Sequence, residues 1–191
     1  MRAVDLCAGD GGVTRGMLAA GFDVVGVDVT RRPDYPAPLI LKDVRELRGD
    51  ELGVVDWLHF SPPCQRFSLA RAGRVKDPPT EADLDILKAC LRLRDELKPR
   101  FWTCENVRGA VPWFRPLLGD PKLRHGAFFL WGDFPAFLVE RAGLRKGIYG
   151  SKSPRTKESG RQTKPKNPWA SSVTPIELAR PLAFAIAEAV G

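Results

Sequence analysis

Cysteine and histidine, the residues that most often bind metals or form cross-links, are scarce in this chain. It has four cysteines and two histidines in 191 residues. The cysteines, at positions 7, 64, 90 and 104, form no C-x-x-C pair and show no spacing typical of zinc ligands. A chain of this length buries about 70% of its unfolded surface without a cross-link. We therefore predict a single domain over residues 1–191, with reduced thiols and no metal.

Long apolar runs are missing too. No stretch is long enough to cross a bilayer, and the N-terminal residues lack the apolar core of a signal peptide. Together with reduced cysteines, these absences argue against membrane and exported proteins. We expect a cytoplasmic monomer.

Acidic residues are nearly absent from one segment. Residues 141–168 contain nine Lys or Arg residues and one acid, Glu158, whereas the rest of the chain holds 21 cations and 22 acids. With the five uncharged residues that follow, this stretch forms the basic segment, residues 141–173. Such a segment indicates either a contact surface for a polyanion or a solvated loop that keeps the chain soluble.

Short apolar runs alternate with helical patterns along the chain. This alternation is typical of an α/β fold with a doubly wound, mostly parallel sheet, in which ligands bind at the carboxyl ends of the strands. The predicted strands cover residues 3–7, 23–29, 39–41, 54–60, 101–104 and 128–131, and the predicted helices cover residues 13–20, 80–97 and 174–190.

A glycine turn, Gly9-Asp10-Gly11-Gly12, joins the first strand to the first helix. Glycines there permit positive φ and let backbone N–H groups approach a ligand at a helix N-terminus. Asp28 ends the second strand about 20 residues later, where a carboxylate commonly accepts ribose hydroxyls. The two features indicate a nucleotide-type site, although an aspartate that caps an ordinary turn would give the same pattern.

A cysteine follows two prolines after the fourth strand, in Ser61-Pro62-Pro63-Cys64. The prolines restrict the backbone, so Cys64 is held on a stiff support, which suits a nucleophile. A loop cysteine beside a proline turn is the plain alternative. Asp43 and Glu105 also fall at predicted strand ends, and the topology predicts that Cys64 and Glu105 face the same crevice.

Three stretches together resemble the motifs of DNA (cytosine-5) methyltransferases, in the order that the family has them. They are Asp5-Leu6-Cys7-Ala8-Gly9-Asp10-Gly11-Gly12, Pro63-Cys64-Gln65 with Phe67-Ser68, and Glu105-Asn106-Val107. The resemblance covers residues 1 to about 110 and the last helix, and it is strongest to compact members carried by phages and prophages. It implies methyl transfer to carbon 5 of cytosine in DNA.

The resemblance also implies S-adenosylmethionine as the methyl donor. Asp28 would bind its ribose and Asp43 its adenine amino group, while Cys7 and Val29 stand where the family commonly has aromatic residues. The cofactor-binding residues that the resemblance implies are Cys7, Ala8, Gly9, Gly11, Gly12, Asp28, Val29, Asp43, Val44 and Pro63.

For the reaction, the resemblance implies that the Cys64 thiolate adds to carbon 6 of a cytosine flipped out of the duplex. An ordinary cysteine pKa is near 8.5, so Cys64 needs a base or a nearby cation such as Arg66. Glu105, if protonated, would offset the charge that develops on the ring. The DNA-binding residues predicted with them are Gln65, Ser68, Arg71, Arg74, Lys152, Arg155, Lys157 and Arg161.

Two features leave the substrate open. The family's Gln-x-Arg-x-Arg motif is missing, and Arg124 and His125 are the candidates to replace it. The basic segment is short and has few apolar residues, so we expect no separate target-recognition domain and short or relaxed specificity. The alternatives are an RNA (tRNA) cytosine-5 methyltransferase and a catalytically silent nucleic-acid-binding relic.

Overall fold

The computed structural model of this protein describes residues 1–68, 77–137 and 176–191, with side chains of the last helix described from Leu178 onward. The basic segment lies outside these ranges, so its predicted role is not addressed by the fold. Six predicted DNA contacts are likewise outside the described residues: Arg71, Arg74, Lys152, Arg155, Lys157 and Arg161.

A central sheet organises the described structure. Its seven strands are β1 (Arg2–Leu6), β2 (Asp23–Asp28), β3 (Leu39–Leu41), β4 (Trp57–Phe60), β5 (Phe101–Val107), β6 (Leu123–His125) and β7 (Phe128–Asp133). They lie in the order β3-β2-β1-β4-β5-β7-β6. The first five strands are parallel, whereas β7 is antiparallel to both β5 and β6. The predicted α/β fold with a doubly wound, mostly parallel sheet is confirmed.

Helices cover both faces of the sheet. They are α1 (Gly12–Ala19), α2 (Asp85–Leu97), α3 (Val111–Leu118) and α4 (Ile176–Val190). Successive strand residues point to opposite faces, so each face has its own core. α1 and α4 share one core with Ala3 and Trp57, and α2 and α3 share the other with Leu58 and Phe60. Within the described ranges, no helix combines the length and the apolar character that a membrane span needs.

β5 is longer than the sequence predicted. The prediction ended this strand at Cys104 and placed Glu105 just after it, but the strand continues to Val107. β4 pairs with β5 as far as Cys104, and β7 pairs with the next three residues, including Asn106. This antiparallel partner keeps the backbone extended, so Glu105 projects from a strand and not from a loop.

A row of polar residues crosses the sheet on the face that α1 and α4 cover. Asp5, His59 and Thr103 lie in register on three adjacent strands, and all three are buried. Glycines continue the row on both sides, with Gly26 in register with Asp5 and Gly132 in register with Thr103. The row therefore combines buried polar groups with positions that admit no side chain.

We predict that Gly132→Ala lowers the free energy of unfolding by about 3 kcal/mol or more. Its Cβ would collide with the backbone of Trp102 and Thr103, and φ at this position is +140°. Gly21→Ala is the matched control, because Gly21 also has a positive φ, +85°, but no atom lies within 4 Å of an added Cβ. The control should cost about 1 kcal/mol. Urea unfolding measures both, and equal losses would show that backbone strain alone matters at Gly132.

Candidate active site

A cleft of about 330 Å³ opens at the carboxyl ends of the parallel strands, where ligands of open α/β sheets bind. Of the ten predicted cofactor-binding residues, all except Gly11 line this cleft, and so do Cys64, Gln65 and Glu105. Within the described ranges, no cluster of His, Cys, Asp and Glu side chains could hold a metal ion. The cleft is therefore the candidate active site.

The turn between β1 and α1 contributes to the wall of the cleft. Cys7, Gly9 and Gly11 all have positive φ, of 56°, 53° and 77°, a conformation that glycine adopts without strain and cysteine does not. Gly11 is not part of the cleft lining, and a Cβ added there would meet Pro36 and the Tyr35 ring. Among the described residues, no side chain caps the start of α1. Its first N–H groups therefore suit a polar or anionic ligand.

Asp28 is held beside this turn at the end of β2. Its two carboxylate oxygens accept backbone hydrogen bonds from Gly9 (3.0 Å) and Thr30 (2.8 Å). Each oxygen has a further lone pair, so the oriented carboxylate can still accept hydroxyl groups. The next residue, Val29, lines the cleft and is 68% exposed. A fixed acceptor beside an exposed apolar side chain fits a ribose with its attached base.

Asp43, after β3, already has a partner. Hydrogen bonds from Arg45, the shortest of them 2.6 Å, reach both of its carboxylate oxygens and lower the pKa of Asp43. The residue therefore stays ionised and acts as an acceptor. Arg45 is the more exposed member of the pair, so an adenine amino group would share the carboxylate with it or displace it.

Cys64 lies on the loop after β4 and is half-buried in the cleft. Two hydrogen bonds hold the loop before it. The Ser61 N–H donates to the Leu6 carbonyl at 3.2 Å, and the Asn106 amide donates to the Pro62 carbonyl at 2.8 Å. Prolines have no backbone N–H to donate, so Pro62 is held through its carbonyl, which accepts the amide hydrogen of Asn106 on β5. The cysteine's support is thereby tied to β1 and to β5.

Glu105 is buried, with 6% of its surface exposed, yet it lines the cleft together with Cys64. Burial raises the pKa of Glu105 to about 8, and a hydrogen bond from Ser61 opposes part of that rise. The carboxyl is therefore mainly protonated at neutral pH and can donate a hydrogen bond. The structure thus brings the predicted nucleophile and the predicted acid into one cleft.

Arg66 is directed away from the cleft. Its Nε donates to Asp83 Oδ1 at 3.1 Å, its Nη2 donates to a backbone carbonyl at 3.2 Å, and it is not part of the cleft lining. These bonds place the Arg66 guanidinium beside Asp83. Gln65 lines the cleft and Ser68 does not. The roles assigned to these residues stay predictions.

Sequence reasoning missed a second buried acid on the cleft. Asp5 is 2% exposed and accepts a 2.6 Å hydrogen bond from the Thr14 hydroxyl, which also bonds to Tyr35. Burial raises the pKa of Asp5 to about 7. A charged residue within an apolar strand was the available signal, since aspartate is rarely buried unpaired. Arg32 and Lys42 also line the cleft, and no motif identified them.

Comparison with known proteins assigns the chain to a family. Residues 1–112 match the family model of C-5 cytosine-specific DNA methylases, and this range includes the glycine turn, Cys64 and Glu105. The chain belongs to this family. The resemblance of the three sequence motifs is thereby confirmed.

The curated relatives of this chain are longer proteins. The Type II methyltransferase M.FnuDI of Fusobacterium nucleatum is 31% identical over 119 residues, which are 58% of this chain and 33% of the relative. M.NgoMIV of Neisseria gonorrhoeae is 32% identical over 133 residues, 64% of this chain and 38% of the relative. The chain therefore spans about a third of the length of these relatives.

A solved structure shares the fold of this chain. It is described as a DNA modification methyltransferase encoded within a prophage (E. coli), with a TM-score of 0.51 and 22% sequence identity. The match covers 69% of this chain and 46% of that one. At this identity the match supports the fold assignment alone.

We predict that the protein loses stability as pH rises between about 4.5 and 8. The folded-state pKa values of Glu105 and Asp5, about 8 and about 7, lie above their ordinary values of 4.5 and 3.8. The native state then binds more protons than the unfolded state, so each acid lowers the free energy of unfolding by up to about 1.4 kcal/mol per pH unit. Glu105→Gln, which mimics the neutral carboxyl, should flatten this fall in urea unfolding.

The control for this measurement is Glu188→Gln, which makes the same change of charge at an exposed site of α4. Its dependence on pH should match that of the wild type. A Glu105→Gln slope equal to the wild-type slope between pH 5 and about 7 would contradict the raised pKa of Glu105.

Proposed function

We propose that this chain transfers a methyl group from S-adenosylmethionine to carbon 5 of cytosine in DNA, through a covalent adduct with Cys64. Membership of the C-5 cytosine-specific family supports the class of reaction. The observation that carries the proposal for this chain is a half-buried cysteine and a buried acid, Glu105, on one cleft. The glycine turn and Asp28 on the same cleft suit a nucleoside.

The residues of the cleft fit S-adenosylmethionine. Gly9 and the uncapped start of α1 offer backbone groups, and Asp28 offers a fixed carboxylate to the ribose. Val29 offers an apolar surface to the adenine, and Asp43 would accept its amino group in competition with Arg45. When bound, the cofactor supplies an electrophilic methyl group.

The chain's own residues would activate the cytosine. The Cys64 sulfur forms a bond to carbon 6, and the electron pair of the ring double bond moves towards carbon 5 and the ring. Glu105 directs its proton to ring nitrogen 3 and so offsets the negative charge. Carbon 5 would then bond to the methyl group of the bound donor, while the bond between that methyl group and the donor's sulfur breaks. When the carbon 5 proton leaves to a base, its electron pair re-forms the double bond to carbon 6, the bond from carbon 6 to the Cys64 sulfur breaks and releases the thiolate, and the shared proton returns to Glu105. Arg66 is the candidate cation for the thiolate, once released from Asp83.

DNA is the proposed substrate. Carbon 6 is hidden inside a duplex, so the base has to flip out at a cost of a few kcal/mol. We assign phosphate contacts to the basic segment and to Arg71 and Arg74, and contacts near the flipped base to Gln65 and Ser68. Phosphate contacts carry no sequence information, so we propose a target of the cytosine with one or two neighbours, or relaxed specificity.

Replacing the proposed nucleophile tests the mechanism. Cys64→Ser should abolish methyl transfer and leave S-adenosylmethionine binding, measured by calorimetry, intact. DNA with 5-fluorocytosine should trap wild-type protein covalently in the presence of the cofactor, because no proton can leave carbon 5. Mass spectrometry should map the adduct to Cys64. Normal turnover by Cys64→Ser would refute the mechanism.

A second cysteine variant and a second substrate serve as controls for this experiment. Cys90→Ala removes a thiol from the core beneath the sheet and should still form the adduct. Parallel assays on duplex DNA and on tRNA identify the substrate. Methylation of tRNA alone would identify an RNA enzyme. Cofactor binding without transfer to either substrate would identify a silent relic.

The basic segment should make DNA binding depend steeply on salt. If six of its nine cations contact phosphates, the logarithm of affinity falls against the logarithm of salt concentration with a slope of about −5. Replacing Lys152, Arg155, Lys157 and Arg161 with alanine should bring the slope to about −2. Fluorescence anisotropy with labelled duplex measures it.

The matched control for the salt experiment removes four exposed cations from the body of the domain. These are Arg48, Lys88, Arg115 and Lys122. The control changes the net charge equally and should leave the slope near the wild-type value. An unchanged slope in the basic-segment variant would show that this segment is only a solvated loop.

A further inference from the structure

A series of hydrogen bonds runs through the sheet and ends at Glu105. Trp57 Nε1 lies 2.9 Å from Thr103 Oγ1, which lies 2.8 Å from His59 Nδ1. His59 Nε2 lies 2.9 Å from Ser61 Oγ. Ser61 and Glu105 directly follow the paired residues Phe60 and Cys104, and Ser61 lowers the pKa of Glu105, as a hydroxyl that donates to the carboxyl does. The proposed reaction, as described so far, uses none of the four residues behind Glu105.

The strands bring these residues together by their register. His59 and Thr103 are paired neighbours on β4 and β5. Ser61 and Glu105 each follow two residues later, so both point to the same face as the pair. Trp57, His59 and Thr103 are fully buried, and buried polar groups are costly unless they are hydrogen-bonded. The series is therefore a structural unit whose members depend on one another.

The chemistry of the groups fixes the direction of the bonds. An indole N–H only donates, so Trp57 donates to Thr103 Oγ1. Thr103 then donates its single hydroxyl hydrogen to His59 Nδ1. His59 consequently carries its proton on Nε2 and donates it to Ser61, and Ser61 donates its own hydrogen to Glu105. In this arrangement every hydrogen has an acceptor.

The opposite direction leaves a hydrogen without an acceptor. If His59 carried its proton on Nδ1, both His59 and Trp57 would donate to Thr103 Oγ1. The Thr103 hydroxyl hydrogen would then have no acceptor among the described residues. A buried donor without a partner is rare and costly. The first direction is therefore favoured.

We propose that Thr103, His59 and Ser61 are positioning residues that orient Glu105, so that its Ser61-facing oxygen accepts a hydrogen bond and its acid proton points into the cleft. This inference rests on the proposed function. A carboxyl fixed in this way has one orientation from which to donate to ring nitrogen 3. Without the Ser61 hydrogen, the proton could occupy either oxygen, and part of the enzyme would present an acceptor to the base.

The ionisation of the surrounding groups is consistent with this role. Burial lowers the pKa of His59 to about 3, so the imidazole stays neutral and serves as a fixed donor and acceptor. Ser61 opposes the rise in the pKa of Glu105, so its loss should raise that pKa further. Asp5 on β1 and Cys64 after β4 share the cleft, Cys104 is adjacent on β5, and β7 faces Glu105 with the non-titrating Leu130.

Several of these groups titrate, so the experiments observe His59 and Glu105 directly by NMR. Nitrogen-15 NMR of wild-type protein should show neutral His59 protonated on Nε2, with Nδ1 as the acceptor. The chain has two histidines, so a His125→Gln sample identifies the His59 signals. A predominant Nδ1–H form would overturn the proposal. This measurement needs no variant of the series and no enzymatic activity.

Variants of the series test its effect on Glu105. Ser61→Ala should lower kcat about tenfold with little change in KM, and it should move the alkaline limb of the kcat profile to higher pH. Carbon-13 NMR of the Glu105 carboxyl should show that the pKa of this group rises as well. Ser61→Thr keeps the hydroxyl and should restore both values towards wild type.

A second pair of variants changes Thr103, which lies farther from the substrate than Ser61. Thr103 does not line the cleft, yet Thr103→Val should lower kcat about threefold, while Thr103→Ser should keep it. A merely structural role would lower the unfolding midpoint and leave the Glu105 titration unchanged.

The outcomes separate this inference from the proposed function. If the wild type is active but the pKa of Glu105 is the same in Ser61→Ala as in the wild type, this inference alone is refuted. A wild type that methylates neither DNA nor RNA would refute the proposed function, and the His59 measurement would still test the series.

Discussion

The hydrogen bond from the Asn106 amide to the Pro62 carbonyl ties the loop that carries Cys64 to the strand that carries Glu105. Pro62 and Pro63 have no N–H of their own to donate, so this part of the loop is held through a carbonyl that accepts a hydrogen bond from a side chain. Asn106 can reach the loop because β5 continues past the end of β4, and β5 continues because β7 pairs with it in antiparallel fashion. The geometry of the cleft thus depends on the one strand that departs from the parallel pattern.

The two faces of the sheet differ in polarity, and one of them carries the row of buried polar residues near the cleft. The face under α2 and α3 is covered by a continuous apolar core. The face under α1 and α4 is apolar away from the cleft and polar near it, where Asp5, His59 and Thr103 form a row. Burying these groups costs free energy unless each has a partner. Burial also raises the pKa of both acids on the cleft, to about 8 for Glu105 and about 7 for Asp5, so both hold protons at a pH where exposed carboxyls are ionised.

The positions of the polar groups also explain how the proposed chemistry and the inferred hydrogen-bond series fit together. Glu105 is buried enough to hold its proton, and Ser61 bonds to the same carboxyl, with His59 and Thr103 behind it. A neutral imidazole in this place acts through its fixed donor and acceptor and not through charge. The prolines restrain Cys64 on the neighbouring loop. Both groups are thus held by bonds outside the cleft, so the substrate would meet a largely preformed site.

The sequence by itself determined the fold class, the family and the two groups proposed for catalysis. Strand and glycine signals depend on neighbours in the chain, and the Pro-Pro-Cys and Glu-Asn-Val motifs are local. Only the tertiary structure decided that Glu105 lies within a strand, that Arg66 pairs with Asp83, and that Asp5 and Ser61 line the cleft with His59 hydrogen-bonded to Ser61. These features depend on strand register, burial and distant partners, such as Asp83, which lies 17 residues from Arg66, and Thr103, which lies 44 residues from His59. A local pattern cannot encode them, because the pKa of an acid and the partner of a cation are set by whatever packs around them in space.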